Sequence, residues 1–217
     1  MKVLSRIALA LALTGGAVVA MPALVPASAT TLALLSLDQM TDASDLVVRG
    51  TVLDTWTDLD PNGNVVTFAS IRVAEGMKGA VAAGDFLTVE TPGGDLDGTL
   101  AVVEGAARYD KDEEVVLFLA EKRFGTSYGT VGLWLGKFTV KPNPRDGQDM
   151  VVRFTVPWGQ RYDARFLPNP PADQRMSVAQ LSQSVRSRVA LGWDGKPIPG
   201  VSAAKLRSIN KLQPGVR

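Results

Sequence analysis

The spacing of apolar residues predicts a long β-hairpin near the start of the chain. From Leu46 to Trp56, and again from Val65 to Glu75, β-branched and apolar residues alternate with polar ones, which is the period of a half-buried strand. Residues 58–64 between these runs are rich in Asp, Pro, Asn and Gly, and Gly63 supplies the positive φ of a tight turn. The two runs are therefore expected to pair.

Further strand signals follow without a helical segment between them. The segments Phe86–Thr91 and Leu100–Val103 read as a third strand and a short one, and Val151–Val156 is expected to pair with the alternating run Thr130–Val140. Glu114–Leu119 is almost entirely apolar, so it should be a central strand that is buried on both faces. The pattern predicts a mainly β protein, an OB-like antiparallel barrel of five or six strands with a short N-terminal helix and a C-terminal helix. Glycines mark the expected bends: Gly50, Gly76, Gly132 and Gly136.

Two capping boxes predict the helices. Ser36 to Gln39 begins a short helix that should end near Ala43, and Ser177 to Gln180 begins one that should end at Gly192. The second helix has an apolar stripe that should lie across the barrel, formed by Val178, Leu181, Val185 and Val189. A last short helix is expected within 202–212. The predicted organisation is a β-barrel domain (30–156), a Pro-rich arm (157–175), a helix (176–192) and a basic tail (193–217).

The first residues have the pattern of a secretory signal peptide. Lys2 and Arg6 precede an apolar run, Ile7–Ala20, and Ala27-Ser28-Ala29 places small residues where a signal peptidase reads them. The alternative is a retained membrane anchor, but the apolar run is shorter than the ~20 residues that span a bilayer. Cleavage after Ala29 would leave a secreted or periplasmic protein that begins at Thr30, and no membrane span is expected in it.

Charge is divided unevenly along the chain. Residues 30–174 hold 13 Lys and Arg against 21 Asp and Glu, whereas residues 175–217 hold eight basic residues and one acid, Asp194. The basic tail, with Lys205, Arg207 and Lys211, could bind anionic envelope polymers, or the two parts could neutralise each other by packing. The second interpretation is favoured because the apolar residues of the tail are also spaced for docking. No nucleic-acid partner is expected.

The absence of two residue types excludes several chemistries. The chain contains no Cys and no His, so its fold cannot depend on disulfides. Zinc sites of the usual kinds and Ser-His-Asp or Cys-His catalysis are also excluded. No catalytic residue and no cofactor is predicted, and a non-enzymatic protein is expected.

Two acidic segments are candidate sites. Asp58, Asp60 and Asn62 match the opening of a calcium-binding loop, but Ala69 stands at the twelfth position, where a bidentate Glu is normal. A hairpin turn explains the same residues, so the calcium candidate is weak. The cluster Asp110, Asp112, Glu113 and Glu114 is interpreted as a solvated charge ahead of an aggregation-prone strand. The alternative function, a polysaccharide hydrolase, requires at least two carboxylates in one cleft, drawn from Asp95, Asp97, Glu104 and Asp110.

Scattered tryptophans give a weaker signal. Trp134 lies in an alternating run and is expected in the core. Trp158 and Trp193 lie beside glycines in predicted loops, so they are candidate partner-binding residues together with Thr30, the predicted mature N-terminus.

Five segments resemble a group of uncharacterised exported bacterial proteins. Their shared signature is matched across residues 36–140 by Ala43–Val52, Val73–Gly79, Val89–Gly94, Glu113–Leu119 and Gly136–Val140. The opening strand also resembles, more distantly, the netrin-like and tissue-inhibitor-of-metalloproteinase modules, and this resemblance implies an OB-type barrel. Those inhibitors chelate a protease zinc through an N-terminal Cys, which this chain lacks.

Together these features lead to the hypothesis of an exported binding module for a macromolecular partner. The partner would be a protein or an envelope polymer, and one version of the role is inhibition of a secreted protease. The hydrolase and a structural envelope component are the alternatives.

Overall fold

The computed structural model describes residues 35–122, 126–153 and 176–211. The predicted signal peptide, Thr30, the Pro-rich arm and Trp158 lie outside the described residues. The helices are α1 (Leu37–Ala43), α2 (Val178–Leu191) and α3 (Ala203–Lys211), with one 3-10 helix (Leu133–Gly136). The strands are β1 (Leu46–Leu59), β2 (Val65–Lys78), β3 (Phe86–Pro92), β4 (Gly94–Leu96), β5 (Thr99–Ala101), β6 (Glu114–Glu121), β7 (Tyr128–Thr130), β8 (Lys137–Pro142), β9 (Asp149–Val152) and β10 (Met176–Ser177). The protein is mainly β, as the pattern predicts.

Five strands of the main sheet form a closed ring. The strands pair in the order β1-β2-β3-β7-β6, and β6 pairs again with β1. All of these pairs are antiparallel except β3 and β7, which are parallel at Val89 and Tyr128. The expectation of a wholly antiparallel sheet is therefore wrong. The reason is geometric: antiparallel neighbours alternate in direction, so a ring with an odd number of strands must contain a parallel pair.

The sheet contains more strands than the five or six predicted. Beyond β6 it continues through β8, β9 and β10, while β4 and β5 form a separate two-stranded hairpin. The predicted strand Thr130–Val140 is wrong as one element, because β7 ends at Thr130 and the 3-10 helix precedes β8. At this break Gly132 and Leu133 both have positive φ, of 66° and 57°, which extended strands do not adopt. A Cβ on Gly136 would lie 2.5 Å from the carbonyl oxygen of Val131, so the close return of the chain requires glycine.

Two separate apolar clusters stabilise the sheet. One fills the ring and includes Ala69, Ile71 and Val73, which the alternation of β2 predicts on a common face. The other lies between the sheet and the helices, where Leu181 and Val185 of α2 are fully buried. The expected docking of the α2 apolar stripe on the sheet is thus observed for these residues.

Strand β6 belongs to both clusters. Val115, Leu117 and Leu119 point into the ring, whereas Val116 and Phe118 point to the helices. All five are 0% exposed, so the prediction of a central strand buried on both faces is confirmed. Trp134, predicted in the core, is 9% exposed and packs in the helix-side cluster.

Both capping boxes form as the sequence predicts. The Ser36 and Ser177 hydroxyls accept hydrogen bonds from the backbone amides of Gln39 and Gln180. Each glutamine side chain accepts in return from the amide of its serine, at 2.9 Å in both cases. These reciprocal bonds fix the first residue of α1 and of α2.

Candidate functional site

Three ion pairs connect the basic C-terminal part to the acidic body. Arg188 of α2 binds Asp42 of α1, Arg186 binds Glu75 of β2, and Lys205 of α3 binds Asp45. The favoured prediction, that the two parts pack against each other and neutralise their charges, is thus observed for three of the eight basic residues of the C-terminal part. Lys205, considered for polymer binding, lies 2.8 Å from the Asp45 carboxylate.

Asp42 is the most deeply buried acid of this network. The residue is 5% exposed, and its carboxylate accepts three hydrogen bonds from the Arg188 guanidinium, at 2.5 to 3.1 Å. Burial raises the pKa of Asp42, while the hydrogen bonds and the positive charge of Arg188 oppose that rise. The arrangement is a structural ion pair, because both partners are occupied by one another.

Lys78, at the end of β2, is buried beside this network. Its ammonium group donates a 2.6 Å hydrogen bond to the carbonyl oxygen of Thr41 in the last turn of α1, and the residue is 5% exposed. Burial lowers the pKa of Lys78 to about 8, although the nearby carboxylates of Asp42 and Asp45 raise it. The folded protein therefore releases this proton at a lower pH than the unfolded chain.

The Lys78 environment predicts a pH-dependent stability. The Lys78 side chain loses its proton near pH 8 in the folded protein and near pH 10.5 in the unfolded chain. Between these two pH values unfolding takes up a proton, so a rising pH makes unfolding less favourable. Relative to Lys78→Met, the wild-type free energy of unfolding should rise by about 2 kcal/mol from pH 8 to pH 10. Urea unfolding across this range measures the difference. Lys196→Met, which alters an 82% exposed side chain, should keep the wild-type slope; equal slopes for wild type and Lys78→Met would contradict the prediction.

A polar groove of about 710 Å³ lies between the first half of α2 and the sheet. Arg49 on its wall binds both Glu114 and Asp149 at 2.6 Å, and Glu75 accepts from Arg186 and from the Ser182 hydroxyl. Each of these charged groups already has a partner of opposite sign. A charged ligand would have to break these pairs, so the groove is a poor candidate for ligand binding.

The weak calcium candidate is organised as a hairpin turn. Asp60 accepts hydrogen bonds from the backbone amides of Asn62 and Asn64, both at 2.8 Å. Hydrogen bonds from the Asn64 side chain and backbone lower the pKa of Asp60 to about 2. Asp58 accepts from the amide of Leu59. Among the residues that the structure describes, no group of three or more acidic residues is arranged to hold a metal ion.

The carboxylates considered for hydrolysis lie outside the polar groove. Asp95 and Asp97 belong to the β4–β5 hairpin, Glu104 follows that hairpin, and Asp110 lies in the turn before β6. All four are exposed, and none of them lines the polar groove.

Glu113, interpreted from the sequence as solvated, is not. Both of its carboxylate oxygens accept from Lys137, at 2.8 and 2.7 Å, and its side chain is 12% exposed. The solvated interpretation fails because β8 brings a lysine over the start of β6, a contact between residues distant in sequence.

Trp193 is also less available than its loop position predicts. It is half-buried against the helix-side cluster, and its indole N–H donates to the Lys196 carbonyl at 2.9 Å. The structure therefore turns this candidate partner-binding residue toward the core.

Most of the exposed large apolar side chains of the described residues lie on two adjoining hairpins. A Cβ on Gly94 would lie within 2.8 Å of side-chain atoms of Thr57 and Thr67, so the β4–β5 hairpin lies against the end of the β1–β2 hairpin. Five of the eight large apolar side chains exposed in the described residues belong to these two hairpins and the residues just after β5. Trp56 alternates with Thr57 and therefore lies on the other face of β1, so we define the distal surface by the remaining four side chains: Leu59 (50% exposed), Leu100 (70%), Val102 (72%) and Val103 (42%).

The sequence pattern does not predict the distal surface. The run Leu100–Val103 was read only as a short strand, although apolar residues inside a loop rich in Gly and Asp were a signal of exposure.

Comparison with known proteins gives no family. No protein-family model matches this sequence, and a search of curated proteins finds no significant match. In the part of the chain that the structure describes, every helix is too short or too polar to cross a membrane.

Proposed function

We propose that the ring of five strands is an OB-type barrel. Support comes from the strand order, since β6-β1-β2-β3 is the spatial order of a Greek key and β7 closes the ring between β3 and β6. OB-type barrels are five-stranded Greek-key barrels. The resemblance of the opening strand to netrin-like modules points to the same fold.

We further propose that the protein is a non-enzymatic, exported module that binds another protein. The single observation that carries this proposal is the distal surface, where Leu100 and Val102 are 70% and 72% exposed. Exposing clustered apolar side chains is unfavourable, at roughly 25 cal/mol per Å² of apolar area left in water. Such patches characterise interaction sites on folded proteins.

The test compares three forms of the immobilised protein as bait for an exported-protein fraction of the source organism. Leu100→Ser/Val102→Ser makes the distal surface polar without adding charge, and Leu191→Ser changes a side chain that is 76% exposed on α2. We expect one protein to be retained by wild type and by Leu191→Ser and lost with the double variant. That protein, once purified, should bind the wild-type chain directly.

Two results would contradict the proposal. The first is that no protein shows this pattern of retention. The second is that the retained protein fails to bind when purified, which would mean that capture did not depend on a direct contact.

A further inference from the structure

The segments that form the distal surface are acidic. Residues 54–71 and 91–107, which hold the end of the β1–β2 hairpin and the whole β4–β5 hairpin, contain six Asp or Glu and no Lys or Arg, and the next basic residues along the chain are Arg72 and Arg108. Asp95, Asp97 and Glu104 are exposed next to its apolar side chains. Asp95 pairs directly with Leu100 across the β4–β5 hairpin, so the carboxylate and the apolar side chain share one face.

Within the described segments, these rim carboxylates have no ion-pair partner. No ion pair to Asp95, Asp97 or Glu104 is formed by any residue of the described segments. Asp95 accepts one hydrogen bond, from the amide of Gly98 in its own turn. The charged groups of the polar groove form ion pairs. The carboxylates beside the distal surface differ from them, because no described residue forms an ion pair with these carboxylates.

We infer that the distal surface docks a cationic amphipathic segment of a partner protein. The apolar side chains would contact the apolar face of that segment, and the rim carboxylates would face its Lys or Arg side chains. A second copy of this chain is a poor occupant, because a symmetric contact would bring two acidic rims together. This inference rests on the proposed function and specifies the charge of its partner.

The test uses two synthetic helical peptides with the same leucine face, one with lysine and one with glutamate on the polar face. Fluorescence anisotropy with labelled peptide measures binding to the purified full chain. We expect the lysine peptide to bind at least roughly tenfold more tightly than the glutamate peptide. Its affinity should fall severalfold between about 0.05 M and about 0.5 M salt, where the Debye length shortens from ~14 Å to ~4 Å.

Two variants separate the apolar from the electrostatic contribution. Leu100→Ser/Val102→Ser should abolish binding of the lysine peptide, and Asp95→Asn/Asp97→Asn/Glu104→Gln should reduce its affinity roughly tenfold. Leu191→Ser serves as the control and should bind like wild type. Circular dichroism of each variant verifies that the fold is retained.

Several outcomes would overturn the inference. Equal binding of both peptides that still requires Leu100 and Val102 would reject the cationic partner and leave the proposed function standing. Binding of the lysine peptide that survives Leu100→Ser/Val102→Ser would reduce the site to unspecific charge attraction. Failure of both peptides to bind would also reject the inference, as would self-association through the distal surface, measured by sedimentation velocity. The bait experiment tests the proposed function independently of these results.

Discussion

Replacing Arg188 by Met should lower the free energy of unfolding by about 3–5 kcal/mol. The variant leaves the Asp42 carboxylate in a site that is 5% exposed, without the guanidinium that donates three hydrogen bonds to it. An uncompensated buried charge costs more than the net contribution of the pair. The loss should be smaller at pH 5 than at pH 8, because burial already raises the pKa of Asp42 and a protonated carboxyl is less costly to bury.

Two further variants make the Arg188 result interpretable. Arg186→Met removes a second arginine of the same helix from an ion pair in which it is 56% exposed, and should cost less than about 1 kcal/mol. Asp42→Leu combined with Arg188→Met should recover most of the stability, since an apolar pair of similar volume replaces the buried charges. Urea unfolding followed by tryptophan fluorescence gives all three values. Equal effects of Arg188→Met and Arg186→Met would show that the buried pair is not special.

The second large effect is expected for Phe118→Ala, at about 3–5 kcal/mol. Phe118 is fully buried in the helix-side cluster, and its ring lies 5.8 Å from that of Phe138. Truncation leaves a cavity between β6 and the helices that close-packed neighbours fill only in part. The matched control is Phe86→Ala, at a residue that is 67% exposed, which should change stability by less than about 0.5 kcal/mol.

Hydrogen exchange would locate the effect of Phe118→Ala. Amides of α2 should lose protection more than the amides of β2. The reason is that the Phe118 side chain belongs to the cluster between the sheet and the helices, and not to the cluster inside the ring of strands. A uniform loss across both would contradict the existence of two separable clusters.

The sequence predicted the local elements well where a short-range signal determines them. The capping boxes at Ser36 and Ser177 act within one helical turn, so their hydrogen bonds formed as expected. The apolar run Val115–Leu119 indicated a strand buried on both faces without information about its neighbours. The break at Gly132 and Leu133 was missed, because alternation alone does not reveal a backbone that turns to positive φ.

The candidate sites were predicted less well than the elements. Glu113 and Trp193 were assigned to solvent from their flanking residues, yet a lysine of β8 and the helix-side cluster cover them. The exposed distal surface was assigned no role. The exposure of a side chain depends on which distant segments of the chain pack against it. This depends on the chain topology, which the neighbouring residues in the sequence do not encode.

The sequence by itself determined the alternation of strands and turns, the two capped helices and the exclusion of chemistry based on Cys or His. Only the tertiary structure decided that β6 returns to pair with β1, that the odd ring requires a parallel contact between β3 and β7, and that the basic helix α2 neutralises Asp42 and Glu75. The physical reason is the range of the interactions. Capping and periodicity act within a few residues, whereas ring closure and ion pairing join groups up to 160 positions apart, so they depend on the free energy of the whole fold.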